Sequence, residues 1–357
     1  MSSLPLSVDV VVVGGGLAGL ASARALAGVG ASVLVLEREA ACGQHASGRS
    51  VGMGRQLTDD DLTTTLAVRG ASALRVMAAA PGRAALWRQH GSLLTFDRAD
   101  GAAAYAARAA RVGVVAEPIG PAEVRARWPQ VDGGAVAAGL WIASDGLIDL
   151  PALVAALVDD VTAAAGVVAC GCEVTDVQVA GDGATVHTGR GVVRASAVVD
   201  AAGAWAGTLA AAWGARDPGL VPRRRHVFAL PAPAMAPSGP FWWHLGQAEI
   251  YLRPAPGEIL TSACDAEEVP PHDPAPVPGA DVAARARLAQ HGVAAGDFTR
   301  TWACLRTFGP GAGPVVGRDP DRPWLWWAAA LGGHGATTAL AIGADLAAAL
   351  APTLHPR

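Results

Sequence analysis

Three glycines and one glutamate near the start of the 357-residue chain have the spacing of a dinucleotide-binding site. Gly14, Gly16 and Gly19 form a GxGxxG pattern, and Glu37 follows roughly twenty residues later. The first glycine permits a tight turn, the second lets the backbone approach a pyrophosphate, and the third lets a helix pack closely on a strand. A carboxylate at Glu37 can accept hydrogen bonds from both ribose hydroxyls. The pattern therefore predicts binding of the ADP half of FAD or NAD.

The elements that must position these residues are predicted around them. Residues 8–13 are apolar and almost entirely β-branched, which is typical of a strand buried on both faces. A helix is predicted to begin near Leu17, so that its free N–H groups and positive dipole end face the phosphates. A second apolar strand leads to Glu37. This strand–turn–helix–strand context favours a dinucleotide site over a glycine turn that binds nothing.

The composition excludes several other classes of protein. The chain has no lysine, so all 27 basic residues are arginine, and neither a pyridoxal phosphate Schiff base nor a P-loop can exist. The formal net charge is -4 and the longest basic run is residues 223–225, so we expect no nucleic-acid partner. Five scattered cysteines indicate neither a disulfide framework nor a zinc site, and no metal is predicted.

No segment has the pattern of a targeting signal or a membrane span. The N-terminus lacks a basic region, and Asp9 lies within its first apolar stretch. Glycines and Arg24 interrupt that stretch too soon for a membrane span. The apolar residues 339–350 form a short segment that contains Asp345. We therefore predict a buried helix there and a cytoplasmic protein without a membrane span.

Two kinds of segment alternate along the rest of the chain. A polar, glycine-rich loop at residues 41–57 suits a backbone that wraps around a cofactor, and Ala-rich helical sequence follows at about residues 62–90. Predicted strands occupy residues 91–96, 223–230, 249–254 and 258–264. Residues 166–206 are predicted to form further strands, and residues 325–329 a last strand before a GGHG turn and a helix.

Dinucleotide-type segments thus occur at the start, middle and end of the chain. We predict an α/β fold, α+β overall, with a discontinuous Rossmann-type domain at residues 1–80, 146–215 and 305–357. A mainly antiparallel β-sheet substrate domain with helices interrupts it at residues 81–145 and 216–304.

Six motifs occur in the order found in one group of flavoproteins. They are the glycine run with its closing acid, SGRS at 47–50, VVDAAGAW at 198–205, WACLRTF at 302–308, PVVG at 314–317 and LGGHG at 331–335. The chain resembles the D-amino-acid oxidase superfamily, which includes glycine oxidase, sarcosine oxidase and D-arginine dehydrogenase. The resemblance spans nearly the whole chain and implies that the Rossmann-type domain binds FAD.

The resemblance also implies which residues hold FAD. Backbone N–H groups and the helix dipole at the GGHG turn can stabilise negative charge on the reduced flavin. The implied FAD-binding residues are Gly14, Gly16, Leu17, Ala18, Gly19, Glu37, Arg38, Ser47, Gly48, Arg49, Ser50, Val174, Ala202, Gly203, Trp205, Arg306, Gly332, Gly333, His334, Gly335 and Thr337.

The implied substrate site is centred on a carboxylate anchor. Arg306 matches the family's carboxylate-binding arginine, whose planar guanidinium can donate two parallel hydrogen bonds. The alternative is an ion pair with a loop acid. Tyr251 matches a tyrosine that assists the anchor, or it packs within its strand. Arg224 is favoured as a second substrate-facing arginine, with Arg223 and Arg225 on the opposite face of the strand.

Other residues complete the implied site. His45 could orient the substrate amine or exclude water from it, or it could form only local hydrogen bonds. Gly333 and His334 match positions at which members of the family contact the flavin. His244, beside two tryptophans, shapes a side-chain pocket or belongs to a packed aromatic cluster. Cys304 stands where sarcosine oxidases carry a cysteine bonded to flavin, but we favour a small buried thiol and non-covalent FAD.

The implied activity is FAD-dependent oxidation of an amino acid, with D-amino acids as first choice, or of a secondary amine. Hydride passes from Cα to flavin N5, the imine hydrolyses to a keto acid, and oxygen or another acceptor takes the electrons. Two departures from the family pattern narrow the range of substrates and electron acceptors. The lysines that sarcosine oxidases carry near the flavin are absent, and Thr337 stands where one of them would align. No acidic residue matches the carboxylate that binds the substrate side chain in D-arginine dehydrogenase. The alternatives are 2-hydroxy-acid oxidation and a flavin-holding subunit of a hetero-oligomer. A homo-oligomer is compatible with either.

Overall fold

The opening segment folds into the strand–helix–strand unit that its sequence predicts. The computed structural model describes residues 3–132, 136–232 and 239–354. Strand β1 (Ser7–Val13) leads through the glycine turn into helix α1 (Leu17–Gly28), and β2 (Val33–Leu36) returns parallel to β1. Both strands are almost wholly buried, which explains their unbroken apolar sequence.

Strand β1 lies in the interior of an eight-stranded sheet. It pairs in parallel with β2 on one side and with β12 (Gly191–Asp200) on the other, and β12 pairs in parallel with β20 (Leu325–Ala329). The other strands extend this parallel centre at its edges. With elements numbered in chain order, they are β9 (Val167–Ala169), β10 (Val174–Ala180), β11 (Gly183–Thr188) and β19 (Val315–Arg318).

Helices pack on this sheet and on one another. Helix α9 (Gly335–Leu350) contacts both α1 and α3 (Asp61–Ala78), and α1 also contacts α6 (Leu150–Ala163). The α9 segment is long and apolar enough to span a membrane by composition, but in the structure its residues pack in the core against these helices. The other helices are α2 (Ala46–Arg49), α4 (Ala99–Val112), α5 (Pro121–Arg127), α7 (Ala206–Ala212) and α8 (Ala280–Gln290).

A second, nine-stranded sheet is mainly antiparallel, as predicted for the substrate domain. Among the described residues, β5 and β14 form its one parallel pair. Its strands are β5 (Ser92–Phe96), β6 (Glu117–Ile119), β7 (Ala138–Ile142), β13 (Val221–Pro231), β14 (Phe241–Leu245), β15 (Ile250–Ala255), β16 (Glu258–Ser262), β17 (Glu267–Glu268) and β18 (Arg300–Phe308). A small third sheet contains β3 (Met53–Gly54), β4 (Arg88–Gln89) and β8 (Gly146–Leu147).

The predicted fold class is confirmed, and two details of the prediction are corrected. Helix α3 ends at Ala78 rather than near residue 90, because Pro81 and Gly82 interrupt the Ala-rich sequence. The predicted domain boundary between residues 304 and 305 falls inside β18, which pairs with β13 along its whole length. The whole strand therefore lies in the second sheet.

Candidate active site

A cavity of about 300 Å³ is lined by residues of both large sheets. From the first sheet and its helices come the glycine turn after β1, Glu37 at the end of β2, and the start of α9. From the second sheet come Arg225 on β13, Tyr251 on β15 and Arg306 on β18. The glycine fingerprint and the predicted carboxylate anchor therefore face a single space.

The glycine turn has no room for side chains. Gly14 has a φ of +108°, and a Cβ added there would lie 2.6 Å from the carbonyl oxygen of Ala201. A Cβ at Gly19 would lie 1.9 Å from the carbonyl oxygen of Gly14. Gly14 lines the cavity, whereas Gly19 brings the helix against the strand. Gly14 thus forms the tight turn and Gly19 allows the close packing of helix on strand, which are the roles that the spacing predicts.

The N-terminus of α1 faces the cavity. Gly16, Leu17 and Ala18 line it, and the Leu17 N–H donates to Ser47 Oγ at 2.9 Å. No side-chain hydrogen bond caps the helix at Gly16. The positive end of the helix dipole is therefore directed at the cavity, where it favours a phosphate.

Glu37 lines the same cavity near the glycine turn. Its carboxylate accepts hydrogen bonds from the Gly15 N–H at 2.7 Å and from the Glu39 N–H at 2.9 Å. Each carboxylate oxygen can accept a second hydrogen bond. These contacts hold the carboxylate beside the turn while leaving it capacity for ribose hydroxyls.

His45 lies on the Glu37 side of the cavity. Its Nε2 is 2.9 Å from Glu39 Oε1, and its ring centroid is 4.7 Å from that of Trp205. The Arg38 guanidinium lies 4.0 Å from the centroid of the same Trp205 ring. The hydrogen bond from His45 is the main cause that lowers the pKa of Glu39. His45 therefore belongs to a polar cluster around the second strand, and its contacts are not with the arginines of the second sheet.

The predicted FAD-binding residues divide into those that line the cavity and those that support its wall. Gly48 and Gly19 pack against backbone carbonyls, while Thr337 is buried in the first turn of α9. The five that do not line the cavity are Gly19, Gly48, Gly332, His334 and Thr337. The sixteen that do are Gly14, Gly16, Leu17, Ala18, Glu37, Arg38, Ser47, Arg49, Ser50, Val174, Ala202, Gly203, Trp205, Arg306, Gly333 and Gly335.

Two buried donors at the substrate side lack partners among the described residues. Tyr251 is fully buried, and its hydroxyl makes no hydrogen bond there. The Arg225 guanidinium donates through Nε to the Asp265 carbonyl and through Nη2 to the Cys264 carbonyl, each at 2.9 Å, but its Nη1 has no partner. Because buried polar groups are almost always hydrogen-bonded, these two donors are available to a polar ligand in the cavity that both residues line.

Arg306 lies beside them without a carboxylate. No acidic side chain in the part of the chain that the structure describes forms an ion pair with it, so the alternative of a loop acid is not realised. Burial and then the charge of Arg225 lower the pKa of Arg306. A Cβ at Gly333 would lie 2.7 Å from Arg306 Nε, so the glycine leaves the space that the guanidinium occupies.

The expectation for Arg224 is corrected by the strand register. Arg223 pairs with Arg306 and Arg225 with Cys304 across β13 and β18, so the flanking arginines share the face of the anchor. Arg224 points elsewhere and donates to Glu267. Arg223 itself is paired with Glu268 at 2.9 Å. Arg225 is therefore the second arginine at the cavity.

Sequence reasoning missed a further buried cation, Arg55. Only 4% of it is exposed, its guanidinium lies 4.0 Å from the Trp243 ring centroid, and its Nη2 is 3.2 Å from His334 Nε2. The Trp243 ring in turn is 5.2 Å from that of Tyr251. Burial and then Arg55 lower the pKa of His334 to about 3, so this imidazole is neutral near pH 7. An arginine within the polar, glycine-rich loop at residues 41–57 was the only sequence signal.

The two remaining candidates take different places. Cys304 lines the cavity, and burial raises the pKa of its thiol. His244 does not line it: its Nδ1 is 3.1 Å from Thr95 Oγ1, and its ring packs 4.4 Å from that of His291. His244 thus belongs to a packed cluster, the alternative that the sequence left open. The described residues contain no group of three or more side chains that could hold a metal ion.

Known proteins share this architecture. A family model described as FAD dependent oxidoreductase (DAO) matches residues 9–349. L-proline dehydrogenase from P. horikoshii is 21% identical, with 99% of this chain and 95% of that chain covered and a TM-score of 0.89. NikD, described as an unusual amino acid oxidase essential for nikkomycin biosynthesis, is 26% identical, with 96% and 94% covered and a TM-score of 0.77. L-α-glycerophosphate oxidase from Mycoplasma pneumoniae, with FAD bound, is 17% identical, with 97% and 95% covered and a TM-score of 0.85.

Proposed function

This chain belongs to the DAO family of FAD-dependent oxidoreductases, and we propose that it oxidises an amino acid or a secondary amine that carries a carboxylate. The observation that carries the proposal is that Arg306, Arg225 and Tyr251 line the cofactor cavity, while Arg225 Nη1 and the Tyr251 hydroxyl have no hydrogen-bond partner among the described residues. Two guanidinium groups that lack an acidic partner among the described residues favour an anionic ligand, and a carboxylate fits their planar geometry.

The residues present fit FAD. The turn at Gly14, the N-terminus of α1 and Ser47 would hold its pyrophosphate, and Glu37 would hold its ribose. When bound, FAD supplies the acceptor for the two electrons that leave the substrate. The start of α9 at Gly335 directs a positive helix end at the cavity and can stabilise negative charge there.

The chain's own contribution to the reaction is orientation and exclusion of water. Arg306, Arg225 and Tyr251 fix the substrate carboxylate, which places its α-carbon within the cavity that also holds the cofactor. Both Tyr251 and Arg225 are almost wholly buried, so their hydrogen bonds to the substrate form in a low dielectric. An amine that binds in its neutral form can lose a hydride from its α-carbon and become an iminium ion without a protein base; the iminium ion then loses a proton to water or is hydrolysed directly.

The need for a base distinguishes the second candidate function, oxidation of a 2-hydroxy acid. An alcohol must lose its hydroxyl proton, which requires a base of suitable pKa. With a pKa of about 3, His334 is a poor base, and the Nε2 of His45 is engaged by Glu39. These observations favour an amine substrate. The unpaired donors at the anchor likewise favour an active enzyme over a subunit that only holds flavin.

The finer proposal is that D-amino acids are the preferred substrates. It rests on the resemblance of the sequence motifs, whereas the similar structures include a dehydrogenase described as acting on L-proline. The test must therefore contain both enantiomers of each amino acid.

The proposal is tested by anaerobic mixing of the purified holoenzyme with matched panels. These are D-amino acids, their L-enantiomers, N-methyl amino acids and the corresponding 2-hydroxy acids. We expect the flavin absorbance to bleach with at least one amino acid or N-methyl amino acid. Bleaching only by hydroxy acids would reject the amine assignment, and bleaching only by L-enantiomers would reject the stereochemical one.

A further inference from the structure

Two cysteines lie side by side outside the substrate site. The Sγ atoms of Cys42 and Cys170 are 3.7 Å apart, although the residues are separated by 128 positions in the chain. Cys42 follows β2 and Cys170 follows β9, and these adjacent parallel strands pair Leu36 with Ala169. The neighbouring carboxyl ends of two strands therefore bring the thiols together.

The thiol pair is reachable from a second cavity. This cavity, of about 750 Å³, is lined by both cysteines and by residues of α6 such as Val154 and Val158. Neither Arg306 nor Tyr251 lines it. Both cysteines are half-buried, whereas Cys172, two positions along the chain, is fully buried. A small oxidant can therefore reach the pair without entering the substrate site.

Cys42 is also in contact with the dinucleotide-binding turn. A Cβ added at Gly15 would lie 2.7 Å from Cys42 Sγ, and the Gly43 N–H donates to the Gly15 carbonyl at 3.0 Å. Gly43 and Arg49 line both the second cavity and the cofactor cavity. The segment at residues 42–49 thus separates the thiol pair from the cofactor cavity.

We propose that Cys42 and Cys170 form a redox-sensitive dithiol that a peroxide oxidises to a disulfide, tethering the 42–49 loop to β9. One thiolate attacks a peroxide oxygen, which breaks the O–O bond and gives a sulfenic acid, and the second thiol then displaces water. With hydrogen peroxide, two thiols give one disulfide and two water molecules. The tether restrains the loop that lines the cofactor cavity, so the oxidised protein releases FAD more slowly.

The rate of this oxidation depends on pH. Burial, then the neighbouring Cys170 and the Glu37 carboxylate, raise the pKa of the Cys42 thiol to about 12, so the thiolate is a very small fraction near pH 7 and oxidation is slow there. Because the thiolate is the reacting form, the disulfide forms faster as the pH rises from 7 towards 9.

The test uses the holoenzyme and hydrogen peroxide. After treatment, the remaining thiols are alkylated under denaturing conditions and counted by mass spectrometry. We expect the five thiols to fall to three, with peptide 39–49 joined to peptide 128–190 after cleavage at arginine. Because the second peptide also contains Cys172, the matched control is Cys172→Ser, which should still lose two thiols. Cys42→Ser and Cys170→Ser should not form the linked peptide.

Three results would overturn the proposal. Retention of all five thiols in the wild-type protein would exclude the dithiol, and this result does not depend on the folding of any variant. A linked peptide that persists in Cys170→Ser would assign the bond to Cys172 instead. FAD release on gel filtration that is equally fast before and after oxidation would exclude the tether.

Discussion

Replacing Arg306 by methionine should weaken substrate binding without weakening the fold. Arg306 lines the cavity, contacts Gly333 and lacks an acidic partner among the described residues. Each charged hydrogen bond to a carboxylate contributes about 1.5–3 kcal/mol. Because Arg225 and Tyr251 are still present, we expect the variant to lose about 3 kcal/mol of substrate-binding free energy, which corresponds to roughly a 100-fold fall in kcat/KM.

The loss should appear mainly in KM. The substrate carboxylate keeps its charge throughout the reaction, so the anchor binds the ground state and the transition state about equally. Burial without a carboxylate lowers the pKa of Arg306, which shows that its charge is held at a cost to stability. Arg306→Met should therefore retain or raise the Tm. Arg306→Lys, which keeps the charge but loses the planar fork, should give an intermediate KM.

Arg300→Met is the matched control, because Arg300 lies on the same strand, is exposed and pairs with Glu258. It should leave KM unchanged and alter stability by less than about 1 kcal/mol. Steady-state kinetics on the best substrate and thermal unfolding provide both readouts. A KM of Arg306→Met within about threefold of the wild-type value, or a lowered Tm, would refute the reasoning.

Three other predictions follow from the same geometry. Gly333→Ala should raise KM more than Gly332→Ala does. Both glycines have positive φ, but a Cβ added at Gly333 would lie 2.7 Å from Arg306 Nε, whereas a Cβ added at Gly332 would meet no atom closer than 3.4 Å. Equal increases in KM for the two variants would contradict this packing argument. Burial and then His291 lower the pKa of His244 to about 4, so between pH 6.5 and 4 the unfolded chain binds a proton that the folded chain does not. His334, whose pKa is lowered to about 3, adds a loss of the same sign in this window. Urea unfolding should therefore show a total loss of stability that His244→Asn reduces by about 3 kcal/mol and that the half-buried His272→Asn leaves unchanged. Denatured mass spectrometry should find no flavin attached at Cys304, since burial raises the pKa of its thiol, and an added flavin mass would contradict this.

The cofactor half of the site was predictable because its signals are local. The glycine turn, the apolar strands and Glu37 lie within one short unit, and the backbone contacts of Gly14 and Gly19 follow directly from their spacing. The end of α3 was missed because alanine favours helix on both sides of the break at Pro81.

The substrate half depended on contacts between distant segments. Which arginine of residues 223–225 faces the cavity is set by the register of β13 against β18, and a run of three identical residues gives no phase by itself. Arg55 reaches His334 across 279 positions of the chain. The Cys42–Cys170 pair likewise exists only because β2 and β9 are neighbours in the sheet. The sequence pattern of a single short segment does not reveal which strands are neighbours in the sheet.

The central claim is that a carboxylate-bearing amine is oxidised at the cavity shared by Arg306 and the FAD-binding turn. Its most direct test is anaerobic stopped-flow reduction of the flavin by the best amino acid, compared in the wild-type protein and Arg306→Met. We predict saturable bleaching in the wild-type protein, and a half-saturating concentration raised about 100-fold in the variant with a similar limiting rate. Bleaching with the same concentration dependence in both proteins, or by 2-hydroxy acids alone, would contradict the account.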